Sequence, residues 1–219
     1  RDDRGVIVGA TEVFRDNSEM MAIRGQLADL QALALTDSLT GLGNRRYIDA
    51  EIQRWSADWQ RYHARYGVLL IVLDHFKRVN DTFGHHTGDR ALRAVASTLA
   101  YGSRASDIVG RWGGEEFVVL TRVDDLSSLR RAADRIRGLV AACDLDAPDA
   151  PGGVRVTVSV GAGLVGYGET AEALVARADA ALYEAKAAGR DQVQVSDPTV
   201  VVLADPAPDP SASPSPANH

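Results

Sequence analysis

The chain has 219 residues, a formal net charge of −6 and a sequence pI near 5.4. This acidic balance argues against a nonspecific binder of nucleic acid or of anionic membranes, because both ligands attract a basic surface. The single cysteine, Cys143, excludes an internal disulfide and a thiolate zinc site. It is also consistent with a reducing cytoplasm, which is the predicted location.

The first 17 residues contain one apolar, strand-like run over residues 5–14 and no second run that could pair with it. Because a lone strand is unstable, we expect it to complete a sheet in a missing upstream domain. The chain begins with Arg1, so we expect a fragment of a longer protein. It contains no apolar run of membrane-spanning length and no signal-peptide pattern.

Residues 18–36 predict a helix with apolar residues spaced 3, 4, 3 and 4 apart, at Met20, Ile23, Leu27, Leu30 and Ala34. One interpretation is an amphipathic helix on the surface of the main domain. The other is a short parallel coiled coil that links an input domain to the main domain. We favour the coiled coil because the seam lies between the unpaired strand and the main domain.

The pattern over residues 37–196 predicts one domain in which helices and strands alternate. A turn-rich joint at 37–46 opens a helix with Ile48, Ile52, Trp55, Trp59 and Tyr62 on one stripe. The elements that follow are a buried central strand at 68–73, a polar loop or short helix at 76–88, a helix at 89–101, a hairpin at 108–120, a helix at 125–142, a loop at 144–153, a strand at 154–160, a helix at 170–188 and a strand at 193–195. This order predicts an α/β or α+β fold, with helices around a central sheet that the hairpin makes mixed. Residues 197–219 are rich in Pro, Ala and Ser, so we expect a disordered tail.

The hairpin carries the most distinctive residues. Gly113 and Gly114 lie between two strand-like runs, which predicts a tight turn in which both glycines have positive φ. Glu115 and Glu116 follow directly, so two carboxylates lie at an exposed tip beside backbone without side chains. A ligand could approach the main chain closely there.

Other polar residues predict what that ligand is. Asp74, Asn80, Asp81 and Asp89 lie between an apolar strand and a helix, while Lys77, Lys186 and Arg190 are cations suited to phosphate. Mg²⁺ in proteins usually takes one or two carboxylates together with phosphate oxygens of the substrate. The combination therefore indicates a Mg²⁺–nucleotide site.

Residues 111–117 resemble the signature of the GGDEF family of diguanylate cyclases, in its GGEEF form. Three further motifs resemble those of the same family in the same order, at residues 37–45, 73–89 and 178–190. The strand at residues 1–17 and the seam at 18–36 resemble the end of a PAS sensor domain and its signalling helix. The resemblance implies a mixed sheet similar to the palm of nucleotidyl cyclases and polymerases. It also implies a reaction in which two GTP molecules, one on each protomer of a homodimer, condense to cyclic di-GMP.

The resemblance assigns a role to each matching residue. The metal would be Mg²⁺ or Mn²⁺, held by Glu115, by the backbone carbonyl of Leu73 and by an acidic side chain at position 72. Glu116 and Lys77 would complete the catalytic set. The nucleotide would be bound by Phe76, Asn80, Asp89, Gly113, Gly114, Lys186 and Arg190. Asn80 and Asp89 would bind the guanine edge, and the cations would bind the phosphates.

Position 72 departs from the family pattern. The family's loop begins Asp-x-Asp-x-Phe-Lys, and its first Asp is the metal ligand, but this chain has Val72 there. Asp74 lies two residues further on, about 6.6 Å along a strand, which is too far for a Mg²⁺ shell with bonds of about 2.1 Å. We therefore expect weak metal binding and slow turnover with guanine recognition intact. A naturally degenerate domain and an engineered substitution both explain the valine.

Arg104 and Asp107 form an Arg-x-x-Asp tetrapeptide that precedes Gly113. One interpretation is a salt pair at a helix end. The other, which the family resemblance implies, is an inhibitory site that binds the product cyclic di-GMP, because Arg can bind phosphate or guanine and Asp can accept from the guanine edge.

Two functions therefore remain open at this point. The first is a product-inhibited diguanylate cyclase. The second is a degenerate domain that binds GTP or cyclic di-GMP and regulates a partner without turnover, and Val72 is the residue that separates them.

Overall fold

The computed structural model describes residue 4, residues 34–147 and residues 150–198. The predicted sensor strand, most of the predicted signalling helix and nearly all of the predicted tail lie outside these residues. Residues 34 and 35 are helical, and a turn leads from them into the domain. The elements that follow are α1 (Arg45–Tyr62), β1 (Tyr66–Leu73), α2 (Phe76–Gly102), β2 (Ile108–Gly113), β3 (Glu116–Arg122), α3 (Leu126–Ala141), β4 (Asp144–Ala147), β5 (Ala150–Arg155), β6 (Val158–Leu164), α4 (Ala171–Ala187) and β7 (Val193–Ser196).

The main sheet has five strands in the order β2-β3-β1-β6-β7. Strand β1 lies at its centre, and all eight of its residues are buried, as the continuous apolar run predicts. Strand β1 pairs antiparallel with both β3 and β6. The mixed sheet is confirmed, but its parallel pair is formed by β6 and β7 and not by the hairpin.

Helices cover both faces of this sheet. Leu69, Ile71 and Leu73 of β1 face one core cluster, to which the apolar stripes of α2 and α3 contribute. The alternate residues of β1, which include Val72, face a second cluster with α1 and α4. Period-two alternation along β1 therefore builds two cores from one strand.

The stripe predicted for α1 is confirmed except at its end. Ile48, Ile52, Trp55 and Trp59 are buried, and the indole N–H of Trp59 donates to the carbonyl of Gly166 at 3.0 Å. Tyr62 is 67% exposed, so its predicted burial is wrong. The helix ends at Tyr62, and the next residue adopts left-handed backbone, which turns the chain away from the core.

Two other predictions about the elements are wrong. The predicted loop at 144–153 contains the strands of a separate two-stranded sheet, β4–β5. The predicted strand at 154–160 is interrupted, because the chain changes partner: β5 pairs with β4, whereas β6 pairs with β1 and β7.

The polar stretch at 76–88 is helical and continuous with the following helix. Helix α2 bends at Gly84, whose φ of 79° and ψ of 162° are not helical. None of the helices in the described part of the chain combines the length and the apolar composition needed to cross a membrane.

Candidate functional site

The turn of the β2–β3 hairpin consists of Gly114 and Glu115. Gly113 belongs to β2 and pairs with Glu116, after a register irregularity between Arg111 and Gly113. Gly114 has a φ of 49°, and Gly113 does not have positive φ, so the predicted turn is wrong by one residue. A Cβ added at either glycine would meet no atom within 4 Å, so the tip is open to a ligand.

Arg111 fastens this turn to the joint at the start of the domain. Its guanidinium donates from Nε and Nη2 to the carbonyl of Gly114, at 2.9 and 2.6 Å, and from Nη1 to Asp37 at 3.1 Å. Asp37 also accepts from the backbone N–H and the hydroxyl of Thr40. The peptide N–H of Arg111 donates to the carbonyl of Gly43 at 2.8 Å. The motif at 37–45 therefore lies directly beside the signature.

The same contacts set the charge state of Asp37. Partial burial raises the pKa of this carboxyl, but hydrogen bonds from Thr40 and Arg111 outweigh burial and lower the pKa below its ordinary value of 3.8. Asp37 therefore remains ionised near neutral pH, where it can pair with Arg111. Sequence reasoning gave neither residue a role, because the contact joins positions 74 residues apart.

The end of β1 lies against the signature. Val72 and Glu116 are directly paired across β1 and β3, and the peptide N–H of Leu73 donates to the carbonyl of Glu115 at 3.1 Å. The structure thus places Val72, Leu73, Glu115 and Glu116 next to one another. The side chain at position 72 is 6% exposed and belongs to the core cluster with α1 and α4.

These residues do not make a complete site for a divalent cation. Val72 has no oxygen, and the carboxylate of Asp74 accepts hydrogen bonds from the hydroxyls of Thr157 and Ser159, away from the hairpin. The described residues contain no cluster of three or more Asp, Glu, His or Cys side chains that could hold a metal ion. The donor set therefore fits Mg²⁺ poorly.

The predicted guanine-binding residues are brought together by the bend at Gly84. Asn80 lies before the bend and Asp89 after it, and both are half-buried. A Cβ at Gly88 would overlap Oδ1 of Asn80 and lie 3.3 Å from the ring of Phe76. The missing side chain at Gly88 therefore lets Asn80 and Phe76 pack against the backbone that precedes Asp89. Lys77 is exposed in the first turn of the same helix.

The predicted phosphate-binding cations lie at the end of α4. Lys186 is in the last turn of the helix and Arg190 is exposed in the turn beyond it. The next residue, Asp191, donates its peptide N–H to the carboxylate of Asp74 at 3.0 Å. This bond joins the end of α4 to the end of β1, so both sets of predicted nucleotide contacts lie at the same end of the sheet.

Arg104 and Asp107 form a turn between α2 and β2. The peptide N–H of Arg104 donates to Asp107 Oδ2 at 2.8 Å, and the hydroxyl of Thr121 donates to Oδ1 at 2.9 Å. The carboxylate thus bonds to backbone and to Thr121, while the Arg104 residue is exposed. Strand β2 runs from this turn towards the hairpin tip, so the two are separated by about 17 Å of strand.

A cavity of about 480 Å³ lies between α1 and α4, on the face of the sheet where Val72 is buried. Its lining includes Ile52, Leu70 and Leu182, together with Glu116 of the predicted catalytic set. The predicted guanine- and phosphate-binding side chains do not line it.

A family model described as diguanylate cyclase, GGDEF domain, matches residues 34–192. The chain belongs to the GGDEF family. DgcP of Pseudomonas aeruginosa, a diguanylate cyclase, is 40% identical over 178 residues, which are 80% of this chain and 26% of DgcP. The response regulator PleD of Caulobacter vibrioides is 42% identical over 176 residues, which are 78% of this chain and 38% of PleD. The chain thus spans less than two fifths of either relative.

Solved structures of GGDEF domains share this fold. The coiled coil and GGDEF domain of DgcB from Caulobacter crescentus, crystallised with c-di-GMP, superposes with a TM-score of 0.77 at 31% identity. The match covers 82% of this chain and 95% of that structure. The predicted fold, a mixed sheet flanked by helices in a GGDEF domain, is therefore confirmed.

Proposed function

We propose that this GGDEF domain is a diguanylate cyclase domain that condenses two GTP molecules into cyclic di-GMP and two pyrophosphates, and that Val72 makes its turnover slow. The observation that carries the proposal is the junction at the end of β1. There the signature pairs with β1, α2 begins and carries Asn80, and the turn of Arg190 is bonded to Asp74.

Each set of side chains has a part in that reaction. Asn80 and Asp89 bind the Watson–Crick edge of guanine, since an amide and a carboxylate complement its donors and acceptors. Lys77, Lys186 and Arg190 neutralise the triphosphate. The 3′-hydroxyl of one GTP attacks the α-phosphorus of the other, and pyrophosphate leaves. Because each domain holds one GTP, two copies must face each other, and most of the catalysis is positioning.

Val72 limits this reaction. Mg²⁺ or Mn²⁺ would stabilise the charge that develops on the phosphates, but only Glu115 and the carbonyl of Leu73 remain as donors of the expected set. We therefore expect the chain to retain nucleotide recognition and to turn over far more slowly than the Val72→Asp variant.

The valine at position 72 also favours a second function. A GGDEF domain with an intact guanine site and an incomplete metal site is suited to bind GTP or cyclic di-GMP as a regulatory module. In either case we propose that Arg104 and Asp107 bind cyclic di-GMP, because the turn presents Arg104 to solvent and keeps the Asp107 carboxylate beside it.

One experiment separates the two functions. The chain and Val72→Asp are incubated with GTP and MgCl₂, cyclic di-GMP is quantified by chromatography, and GTP binding is measured in parallel. Slow turnover that rises at least a hundredfold in Val72→Asp supports the impaired cyclase. Binding without turnover in the original chain supports the regulatory module, whereas equal rates would refute the role given to position 72.

A further inference from the structure

Asp74 is a buried acidic residue that the proposed reaction does not use. It is 5% exposed. Its Oδ1 accepts from the hydroxyl of Ser159 at 2.7 Å, and its Oδ2 accepts from the hydroxyl of Thr157 at 2.8 Å and from the peptide N–H of Asp191 at 3.0 Å. All three donors are neutral. Burial of a carboxylate is costly unless its hydrogen bonds are made, so these three bonds explain how the group is tolerated.

The third of these bonds reaches a strained turn. Gly189, Arg190 and Asp191 have φ values of 117°, 67° and 45°. Left-handed backbone is unfavourable for residues other than glycine, and it persists where the surrounding structure holds it in place. Four non-glycine residues in the described part of the chain have positive φ. Three of them adjoin Asp74: His75 in sequence, and Arg190 and Asp191 through this bond.

Other contacts hold the turn to different elements. The peptide N–H of Arg190 donates to the carbonyl of Ala185 at 3.1 Å, within the end of α4. The guanidinium of Arg137, on α3, donates to the Asp191 carboxylate at 2.6 Å. The bond to Asp74 differs from these because it ties the turn to the end of β1. Asp74 lies three residues before Lys77, so the bond links the turn of Arg190 to the segment that carries Lys77.

We propose that Asp74 is a positioning residue: it holds the turn of Arg190 against the end of β1, so that Arg190 and Lys77 meet the same triphosphate. The inference rests on the proposed function for the identity of the ligand. It explains why an acidic residue suits this position, because the carboxylate accepts on both oxygens. An asparagine would not test the proposal, because its carbonyl oxygen could still accept from Thr157 and Asp191 while its N–H₂ group donates to the hydroxyl of Ser159, which also accepts. Removal of the whole carboxyl group in Asp74→Ala breaks the bond to Asp191.

The test compares the binding of GTP and of guanosine, in EDTA so that no turnover occurs. It uses the original chain, Asp74→Ala, Arg190→Ala and the double variant. We expect Asp74→Ala to weaken GTP binding about five- to twentyfold, the equivalent of roughly one hydrogen bond, and to change guanosine binding less than twofold. When Arg190→Ala is already present, Asp74→Ala should weaken GTP binding less than twofold further.

Ser159→Ala is the matched control, because it removes a hydrogen bond from the same carboxylate and leaves the bond to Asp191. We expect it to lower stability without changing the ratio of GTP to guanosine affinity. Equal losses of affinity for GTP and guanosine in Asp74→Ala, or additive losses in the double variant, would show a general structural role and overturn the proposal.

Amide hydrogen exchange provides a readout that needs no nucleotide. Exchange at residues 190–192 should be at least fivefold faster in Asp74→Ala and unchanged in Ser159→Ala. If the original chain binds neither GTP nor guanosine, the proposed function fails, and exchange still decides whether Asp74 holds the turn. Unchanged exchange in Asp74→Ala would overturn the inference itself.

Discussion

The replacement of Val72 by Asp should lower the stability of the metal-free domain and increase its stabilisation by Mg²⁺. Val72 is 6% exposed, so its side chain makes nearly its full contribution to burial, about 1.5–3 kcal/mol. The new carboxylate would also lie directly opposite Glu116 across the two strands, and like charges in that position repel. Without metal we expect a loss of about 2–4 kcal/mol in the free energy of unfolding.

That loss predicts a fall in Tm of roughly 5–15 °C, since about 1 kcal/mol shifts Tm by about 2–4 °C in domains of this size. Mg²⁺ with a non-hydrolysable GTP analogue should restore most of it, because the new oxygen completes the donor set beside Glu115. A ligand at about a hundred times its Kd stabilises by about 2.7 kcal/mol. The original chain should show a much smaller Mg²⁺-dependent shift.

Thermal unfolding by circular dichroism, with and without MgCl₂ at fixed analogue concentration, measures both effects. Val72→Asn is the matched control, because asparagine is polar and similar in size to aspartate but lacks the charge that attracts the cation. A variant Val72→Asp that is as stable as the original chain, or whose Mg²⁺-dependent shift equals that of Val72→Asn, would contradict the assignment of this position.

Three further predictions concern separate parts of the domain. Gly88→Ala should displace Asn80 and weaken guanosine binding at least tenfold. It should not lower stability, because Ala is favoured over Gly in helices by about 1 kcal/mol. The control is Gly138→Ala on α3, which has open space around it and should leave guanosine binding unchanged. Arg104→Ala should weaken cyclic di-GMP binding at least tenfold in calorimetry and leave GTP binding intact. The same loss in Arg130→Ala would show that the net charge of the domain, and not a specific contact of Arg104, controls the affinity. Asp37→Asn should reduce stability by about 1–3 kcal/mol at pH 7. Because the folded pKa of Asp37 lies below 3.8, its contribution is complete above that value and is lost as pH falls through the folded pKa. The difference in the free energy of unfolding between the original chain and Asp37→Asn, measured with urea, should therefore be constant from pH 7 to about 5 and become smaller below about pH 4. A difference that grows in acid would refute the pairing of Asp37 with Arg111.

The order of elements followed from patterns that are local in sequence. The continuous apolar run before Asp74 predicted the central strand, and spacings of three and four predicted the helical stripes. The β4–β5 strands escaped prediction because Pro148, Pro151 and two glycines break any alternation there. The polar stretch at 76–88 was ambiguous because its helix bends at Gly84, a residue that normally ends a helix.

The residues of the site were predictable one by one, but the contacts that hold them were not. Asp74 bonds to a peptide 117 residues away, and Arg111 bonds to Asp37 across 74 residues. Neither pair leaves a periodic trace in the sequence. The one local hint was the pair of hydroxyls at Thr157 and Ser159, which share a face of an otherwise apolar run.

The double attachment of Arg111, to Asp37 and to the carbonyl of Gly114, has a mechanical consequence. A single planar guanidinium hydrogen-bonds to both the joint and the signature turn, so one rigid group links the two segments. A twist delivered at residue 37 would therefore swing the hairpin tip with it and leave the tip's own shape unaltered. Control of such a domain would therefore act on the orientation of the hairpin tip. It would set whether the tips of two copies of the domain face each other.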